Sequence, residues 1–334
     1  MSNKKSNRLE WIDFAKGIGI YLLVLGHMPS LPVLFTDWIY SFHMPLFFFL
    51  SGYVFNDKRK YSFICEKAFI HLIVPYLCYN IIFLLIDIFL FGKTSKVVLE
   101  DCNNVISGQG AFGVIWFLLA LFWVQLIYGL ICKITKKKLR YCVVTFIVIW
   151  GYIMSMLINF ECYKLITAMV ALGFFAIGNY IKVSHKEFEM NNRVSFIIIL
   201  GASVGLSLIN SNIYKTRIEM SGAIYNNLVL TYSCAVFGIQ SVVMFSEYVL
   251  KKMSTNLNKF FKRISKITIY IGEHSIYFFP LTAYIPVRLV EYCGMNIKIN
   301  IGMKILSKIF GFILTYFIIV FVEFLKRKIS RKVI

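Results

Sequence analysis

The sequence predicts an all-α, polytopic integral membrane protein with about ten transmembrane helices and both termini in the cytoplasm. Three observations carry this prediction: an apolar composition, repeated apolar runs of helical length, and Lys and Arg residues concentrated between alternate runs. Hydrophobic residues make up 59% of the 334-residue chain, charged residues only 16%, and the mean hydropathy is +0.72. Because an average soluble domain carries about 25% charged residues, this composition indicates a chain that lies in lipid.

Apolar runs recur along the whole sequence. A membrane-spanning helix needs roughly 20 mostly apolar residues, and no long linker, repeat or soluble domain separates the runs found here. The first run is expected to remain as a permanent span, because polar residues interrupt its start and no A-x-A-like cleavage site follows it. We interpret residues 1–334 as a single membrane domain with predicted spans at residues 11–30, 38–55, 69–91, 111–132, 141–159, 163–182, 194–210, 223–249, 267–287 and 303–325.

Basic residues orient these spans. The chain has 36 Lys and Arg against 16 Asp and Glu, a net charge of +20. Most basic residues lie in the segments that face inward if residue 1 is cytoplasmic, such as the run KKKLR at 136–140. This asymmetry follows the positive-inside rule and predicts an even number of spans. The charge is spread over short loops at one membrane face, where it meets anionic lipid, so we expect no nucleic-acid partner.

Cysteine spacing indicates neither a metal site nor a disulfide framework. The eight cysteines show no C-x-x-C spacing, and most lie in or beside apolar runs. We therefore interpret them as small hydrophobic residues.

The densest set of ionisable residues lies in the first two predicted spans. An ionisable side chain near the centre of a span costs about 2.5 to 3.5 kcal/mol on insertion scales, and it usually faces the protein interior or a wet cavity. Lys16 and His27 are eleven residues apart, which places them within about 20° on one helix face, with a rise of roughly 16 Å. Asp13 precedes Lys16 by three residues and is placed to pair with it.

The second span returns across the membrane and faces the first. His27 and His43 lie equally far from the midpoint of the connection, so an antiparallel hairpin brings both imidazoles to a similar depth. Ser51 and Gly52 come to the depth of Lys16. A cationic, glycine-containing inner end and a histidine-bearing outer end suit a phosphate-bearing donor and proton transfer deeper in the membrane. Spacing alone leaves open a structural role, with histidines bonding helix to helix and Lys16 snorkelling to the interface.

Two stretches in this hairpin resemble a known family. The segments "RLEWIDFAKGIGIYLLVLGH" and "YSFHMPLFFFLSGYVF" are similar to the acyltransferase 3 family of integral membrane acyltransferases, especially its fucose 4-O-acetylase-like branch. "LIVPYL" around Pro75 and "IWFLLALF" around Trp116 resemble weaker family segments. The family pattern of a basic residue, ten residues and a histidine is matched by Lys16 and His27, and its F-F-x-x-S-G element by Phe47, Phe48, Ser51 and Gly52.

The resemblance implies transfer of an acyl group, usually acetyl, from cytoplasmic acyl-coenzyme A to a hydroxyl of a cell-surface or exported glycan or a lipid-linked sugar. It implies a multi-pass protein of the cytoplasmic membrane, in contact with lipid, that uses acyl-coenzyme A as donor and no metal. His27 would be the catalytic histidine, either as general base or as transient acyl carrier, and Lys16 would hold the donor. Further donor or substrate contacts are expected from Asp13, His43, Ser51, Gly52 and Trp116.

Some positions depart from the family pattern. Thr282 stands where many relatives carry a late histidine, with His274 nearby at another angle, and His71 stands where relatives often have a basic side chain. Spacing places no carboxylate beside His27, although Asp37 and Asp87 are candidates. A transporter or flippase, and a noncatalytic membrane scaffold or sensor, remain alternative functions; the first is typically built from broken-helix repeats, which we do not find in the sequence.

Overall fold

The computed structural model describes residues 9–28, 31–108, 113–158, 163–183, 193–255, 258–292 and 301–330. Regular structure in these ranges is helical, apart from an isolated antiparallel bridge between Glu219 and Ile224, which confirms the predicted all-α class. The α-helices are α1 (Glu10–Gly26), α2 (Val33–Val54), α3 (Tyr61–Ala68), α4 (Val74–Phe91), α5 (Ser95–Ser107), α6 (Trp116–Ile131), α7 (Lys137–Leu157), α8 (Leu165–Val183), α9 (Arg193–Tyr214), α10 (Leu228–Thr255), α11 (Lys259–Glu273), α12 (Ser275–Tyr292) and α13 (Ile301–Ser330).

Eight helical segments in the described ranges are long and apolar enough to cross a membrane, which confirms a polytopic membrane protein. One of them, Tyr61–Phe91, joins α3 and α4 through a π-helical turn at Phe69–Ile73. The two other predicted spans are shorter in the structure. Helix α1 has 17 residues, and the ninth predicted span falls on α11 and α12, which meet at His274. The cytoplasmic location of both termini stays a prediction.

Two features of the connections differ from the predicted boundaries. The eighth span was predicted to begin at residue 223, but α10 begins at Leu228. The preceding residues form a folded loop instead, because the Glu219–Ile224 bridge closes it and Met220 and Tyr225 are buried in the bundle. Helix α5 was not predicted, since its 13 residues are too few and too polar for a span.

Helices α2, α6 and α8 form the centre of the bundle, with most of their membrane-spanning residues buried. Glycines permit the closest approach between α2 and α8. A Cβ on Gly52 would lie 2.7 Å from the carbonyl carbon of Phe175, and one on Gly178 would lie 2.9 Å from that of Phe49. Small residues of this kind allow helix backbones to pack directly in membranes. This packing fixes α2, which carries His43.

Candidate active site

A cavity of about 220 Å³ lies where the end of α1, the first half of α2, the start of α6 and the loop after α9 meet. His27 and His43, which the sequence analysis pairs across the hairpin, both line this cavity. Its other walls include an aromatic ring, a carboxylate and hydroxyl groups. The lining residues are His27, Tyr40, His43, Met44, Gly113, Val114, Trp116, Glu219, Met220 and Ser221.

His27 caps the C-terminus of α1 and is exposed to the cavity. Its Nδ1–H donates to the Leu23 carbonyl oxygen at 2.8 Å. This hydrogen bond assigns the tautomer and leaves Nε2 as the acceptor nitrogen. The Tyr40 hydroxyl donates to Nε2 at 3.3 Å. The helix backbone thus holds the imidazole through Nδ1, and the basic nitrogen Nε2 faces the Tyr40 hydroxyl.

Tyr40 lies between the two histidine rings. Its ring centroid is 5.7 Å from that of His27 and 5.1 Å from that of His43. His43 is buried, with 2% of its surface exposed, and its Nδ1–H donates to the Ile39 carbonyl oxygen at 2.8 Å. The Arg217 guanidinium lies 3.9 Å from the Tyr40 ring centroid, a cation–π distance. Both imidazoles therefore carry their proton on Nδ1, which bonds to the backbone, and the Tyr40 phenol lies between the two rings.

Glu219 supplies a carboxylate to the same cavity. Arg217 donates from Nε at 3.0 Å and from Nη2 at 2.8 Å to Glu219 Oε2, and the Ser221 hydroxyl donates to Oε1 at 2.8 Å. Burial alone raises the pKa of Glu219, but the hydrogen bonds from Arg217 and Ser221 outweigh it and place the pKa below its ordinary value. Glu219 is therefore ionised at neutral pH.

The loop that carries Glu219 is tied to the start of α8. The Lys164 ammonium donates to the Ser221 carbonyl oxygen at 2.8 Å, and the Thr167 hydroxyl donates to the Met220 carbonyl oxygen at 2.9 Å. Both side chains are almost fully buried, at 4% and 0% exposed. Because a buried cation and hydroxyl both depend on these carbonyl groups, the loop has a fixed position over the cavity.

Lys16 and Asp13 lie at the opposite end of α1, and neither lines the cavity. Lys16 Nζ is 3.9 Å from Asp13 Oδ1, the pairing that their spacing predicts. The Lys16 side chain is 25% exposed, while that of Asp13 is 5% exposed. The helix thus separates a cationic end from a histidine end, and the ideal rise between Lys16 and His27 is roughly 16 Å.

The structure brings only part of the predicted substrate set to the histidines. Trp116 and His43 line the cavity, whereas Ser51 and Gly52 do not. Gly52 instead packs against α8, and its carbonyl oxygen accepts a hydrogen bond from Asn179 Nδ2 at 3.3 Å. Ser51 and Gly52, expected as donor or substrate contacts, therefore lie outside the histidine cavity, because the α8 backbone packs against Gly52.

The carboxylates considered from the sequence serve other contacts. Asp87 is fully buried and lies 2.6 Å from Arg288 Nη2 and 2.8 Å from Lys93 Nζ. Asp37 accepts a hydrogen bond from the Ser211 hydroxyl at 2.7 Å. Neither aspartate lines the histidine cavity. The cavity carboxylate comes from Glu219.

The late-segment residues also lie outside the cavity. His274 Nδ1–H donates to the Tyr270 carbonyl oxygen at 2.8 Å, and its Nε2 lies 2.7 Å from Glu323 Oε1. This contact joins the α11–α12 bend to α13. The buried Thr282 hydroxyl donates to the Phe278 carbonyl oxygen at 2.7 Å, within its own helix. His71 is exposed on the π-helical turn.

Four polar residues of the site were missed from the sequence: Tyr40, Glu219 and Ser221, which line the cavity, and Arg217, which binds Glu219. Tyr40 is one of many aromatic residues in an apolar span, so nothing singled it out. The other three lie in a connection between predicted spans, where periodicity carries no information about depth. The available signal was a pair of opposite charges two residues apart in a short outer connection.

Within the described part of the chain, no group of three or more His, Cys, Asp and Glu side chains is arranged to bind a metal ion.

Fold and site together define a polytopic membrane protein with a histidine-lined cavity near one face of its helix bundle. The chain belongs to the acyltransferase 3 family, since residues 9–325 match that family, which is described as an acyltransferase domain. The match covers nearly the whole chain and confirms the family that the first hairpin resembles. By family, the protein is a membrane acyltransferase.

One curated relative is the "Nodulation protein NolL" of Sinorhizobium fredii (strain NBRC 101917 / NGR234). It is 29% identical over 147 residues, and the aligned region covers 39% of this chain and 39% of that protein. The chain therefore spans about two fifths of the length of this curated relative. No solved structure matches the chain significantly.

Proposed function

We propose that this protein is an O-acyltransferase of the fucose 4-O-acetylase-like branch. It transfers an acyl group, acetyl in the first instance, from acyl-coenzyme A to a hydroxyl of a cell-surface or exported glycan or its lipid-linked precursor. It acts in the cytoplasmic membrane, where the donor is available at one face and the acceptor at the other. The observation that supports this proposal is the His27 imidazole, fixed by Leu23 and exposed to a small cavity.

In this proposal His27 is the general base. The acceptor hydroxyl replaces the Tyr40 hydroxyl at Nε2, which takes its proton as the oxygen attacks the thioester carbonyl carbon. The C–S bond then breaks, and the imidazolium returns the proton to the leaving thiolate. A hydrogen bond from Nδ1 to a carbonyl oxygen suits both the neutral and the protonated ring, so the ring keeps its orientation through the cycle.

The cavity walls support this proton transfer. Glu219 carries a negative charge beside the site where the imidazolium forms, and a fixed charge of opposite sign stabilises a developing cation. Arg217 and Ser221 hold that carboxylate in position. His43 and Trp116 complete the wall against which the acceptor sugar packs.

The donor enters at the other end of α1. Lys16, oriented by Asp13, contacts a phosphate of acyl-coenzyme A, with Ser51 and Gly52 at the same depth by their placement in α2. A point charge on a flexible stem is suited to a phosphate group. The long, flexible arm of coenzyme A extends from these phosphates along α1 and brings the thioester toward His27.

The test compares surface glycans by mass spectrometry in four strains: gene deletion, and the deletion complemented with wild type, His27→Ala or His71→Ala. His71 is the matched control because it is an exposed histidine away from the cavity. We expect the acyl mass increment with wild type and His71→Ala, and its loss with His27→Ala. An identical glycan mass in all four strains would contradict a glycan acceptor, and an increment that survives in His27→Ala would contradict the role of His27.

A second experiment, on purified protein, distinguishes a general-base role of His27 from an acyl-carrier role. A general base leaves no acyl group on the protein, whereas an acyl carrier accumulates one when donor is present and acceptor is absent. Intact mass measurement of purified wild type incubated with acetyl-coenzyme A alone is expected to show no added acetyl group. A His27-dependent increment would replace the general-base step with a carrier step.

A further inference from the structure

A long apolar groove runs on the outer side of the bundle, between α7, α8 and α10, away from the histidine cavity. Its volume is about 710 Å³, and its wall is almost entirely apolar, formed by residues such as Val144, Val148, Gly173, Ile177 and Leu228. All three helices are long and apolar enough to span a membrane. The medium that borders this groove is therefore the acyl-chain region of the bilayer.

The groove continues into a polar pocket at one end. A smaller cavity of about 60 Å³ shares Tyr141, Val144, Ala176 and Tyr180 with the groove. Its remaining walls include the side chains of Lys137 and Arg140 from the start of α7. An apolar channel thus ends at a cationic pocket, at the helix end that the positive-inside rule places in the cytoplasm.

The charges in this pocket are not equivalent. Arg140 donates to the carbonyl oxygens of Ile134 and Cys132, and its Nη1 lies 3.8 Å from Asp57 Oδ2. Arg140 is therefore held in place with its charge partly offset by Asp57. Lys137 is exposed at the same pocket. The net positive charge available to a ligand comes from Lys137, beside a positioned guanidinium.

We propose that the groove and its pocket form one binding site for an anionic phospholipid of the cytoplasmic leaflet. The phosphate contacts Lys137 and Arg140, and an acyl chain lies along α7 from Tyr141 to Ile149, a length of about 12 Å at the helical rise. Basic pockets between transmembrane helices at the cytoplasmic side are suited to anionic headgroups. Charge complementarity at one end and apolar walls at the other define this ligand class.

The experiment measures lipid retention by native mass spectrometry on the purified full chain titrated with phosphatidylglycerol or phosphatidylcholine. Lys137→Gln is expected to weaken phosphatidylglycerol binding about fivefold, the effect of one basic group near an anionic headgroup. Lys138→Gln is its matched control, since Lys138 carries the same charge next to Lys137 but does not line the pocket. Wild type is expected to bind phosphatidylglycerol more tightly than phosphatidylcholine.

A second pair of variants tests the groove. Thr145→Trp fills the groove, because Thr145 lines it, and is expected to abolish lipid retention. Phe146→Trp is the control, because Phe146 is 67% exposed and is not part of the groove wall. Equal binding of the two lipids, equal effects of Lys137→Gln and Lys138→Gln, or full retention in Thr145→Trp would each overturn the proposal. So would equally effective competition by glycerophosphoglycerol, which has the headgroup without chains.

Discussion

Gly52→Ala tests whether this family-motif glycine is needed for helix packing. The new Cβ would lie 2.7 Å from the Phe175 carbonyl carbon and nearer still to its oxygen, whereas ordinary contacts begin at 3.4 Å. The carbon contact alone requires α2 and α8 to separate by about 0.7 Å, and the nearer oxygen requires more. Overpacking of this kind typically costs about 1 to 3 kcal/mol. Because both partners are helix backbones in the centre of the bundle, neither is free to rotate away.

The separation also changes the geometry of the proposed active site. Helix α2 carries Tyr40 and His43, so a shift along its length reaches the cavity, and a misplacement near 1 Å can reduce a rate by about a hundredfold. We expect the unfolding midpoint in detergent to fall by about 1 to 4 °C, since the unfolding entropy is about 2.1 cal/mol/K per residue, together with a lower kcat. The KM for acyl-coenzyme A is expected to stay near the wild-type value if the Gly52 requirement is steric.

Gly201→Ala in α9 is the matched control, because a Cβ there meets no atom within 4 Å. Alanine at such a position is expected to leave the midpoint unchanged or to raise it, since glycine is the weaker helix former by about 0.5 to 1 kcal/mol. A wild-type midpoint for Gly52→Ala would refute the packing argument. A raised KM with an unchanged midpoint would identify Gly52 as a donor contact instead.

Three further substitutions follow from the described contacts. Lys16→Ala is expected to raise the KM for acyl-coenzyme A several-fold with little change in kcat. Lys16→Arg is expected to keep the KM close to the wild-type value, because the interaction with phosphate is mainly electrostatic. Tyr40→Phe removes the hydroxyl at His27 Nε2 and is expected to leave the protein folded while altering kcat in steady-state assays. Asp87→Asn removes the buried anion that Arg288 and Lys93 share, although Lys93 keeps its contact with Asp101 at 2.9 Å. Breaking a buried ion pair costs about 3 to 5 kcal/mol, so the thermal midpoint of this variant is expected to fall most.

Each of these expectations has a contradicting result. An unchanged donor dependence in Lys16→Ala would remove Lys16 from the donor site. Wild-type kcat in Tyr40→Phe would show that the phenol does not influence the base. A stable Asp87→Asn variant would mean that the buried ion pairs are not needed to join α4 to α12.

The relative placement of polar residues in the first hairpin could be predicted from the sequence, because helix periodicity links the spacing of two residues to the helix face that they occupy. An eleven-residue interval puts Lys16 and His27 on one face of any α-helix, and a short turn sets the depth of His43. The loop after α9 offered no such rule. Its residues reach the cavity through a bridge between Glu219 and Ile224 and through anchors on α8, contacts between segments that no local pattern specifies.

The position of Ser51 and Gly52 shows what pairing two helices by depth cannot predict. Depth matching places them near the Lys16 end of the hairpin, but depth does not determine which neighbour a helix face meets. Gly52 faces α8 because the absence of a Cβ on Gly52 and on Gly178 lets the two helix backbones touch there. The packing of a third helix decides this orientation, and two-helix reasoning does not include it.

Under the proposed function, the fixed loop above the histidines limits what kind of glycan can be modified. A space of about 220 Å³ is below the roughly 300 Å³ at which pockets begin to enclose whole small molecules. A glycan acceptor of the proposed reaction would insert one edge of one sugar while the rest of its chain stays outside. Recognition under the proposed function is then local, so a short precursor and a finished polymer present the same substrate, and the pattern of modification is set by which hydroxyls protrude from the chain.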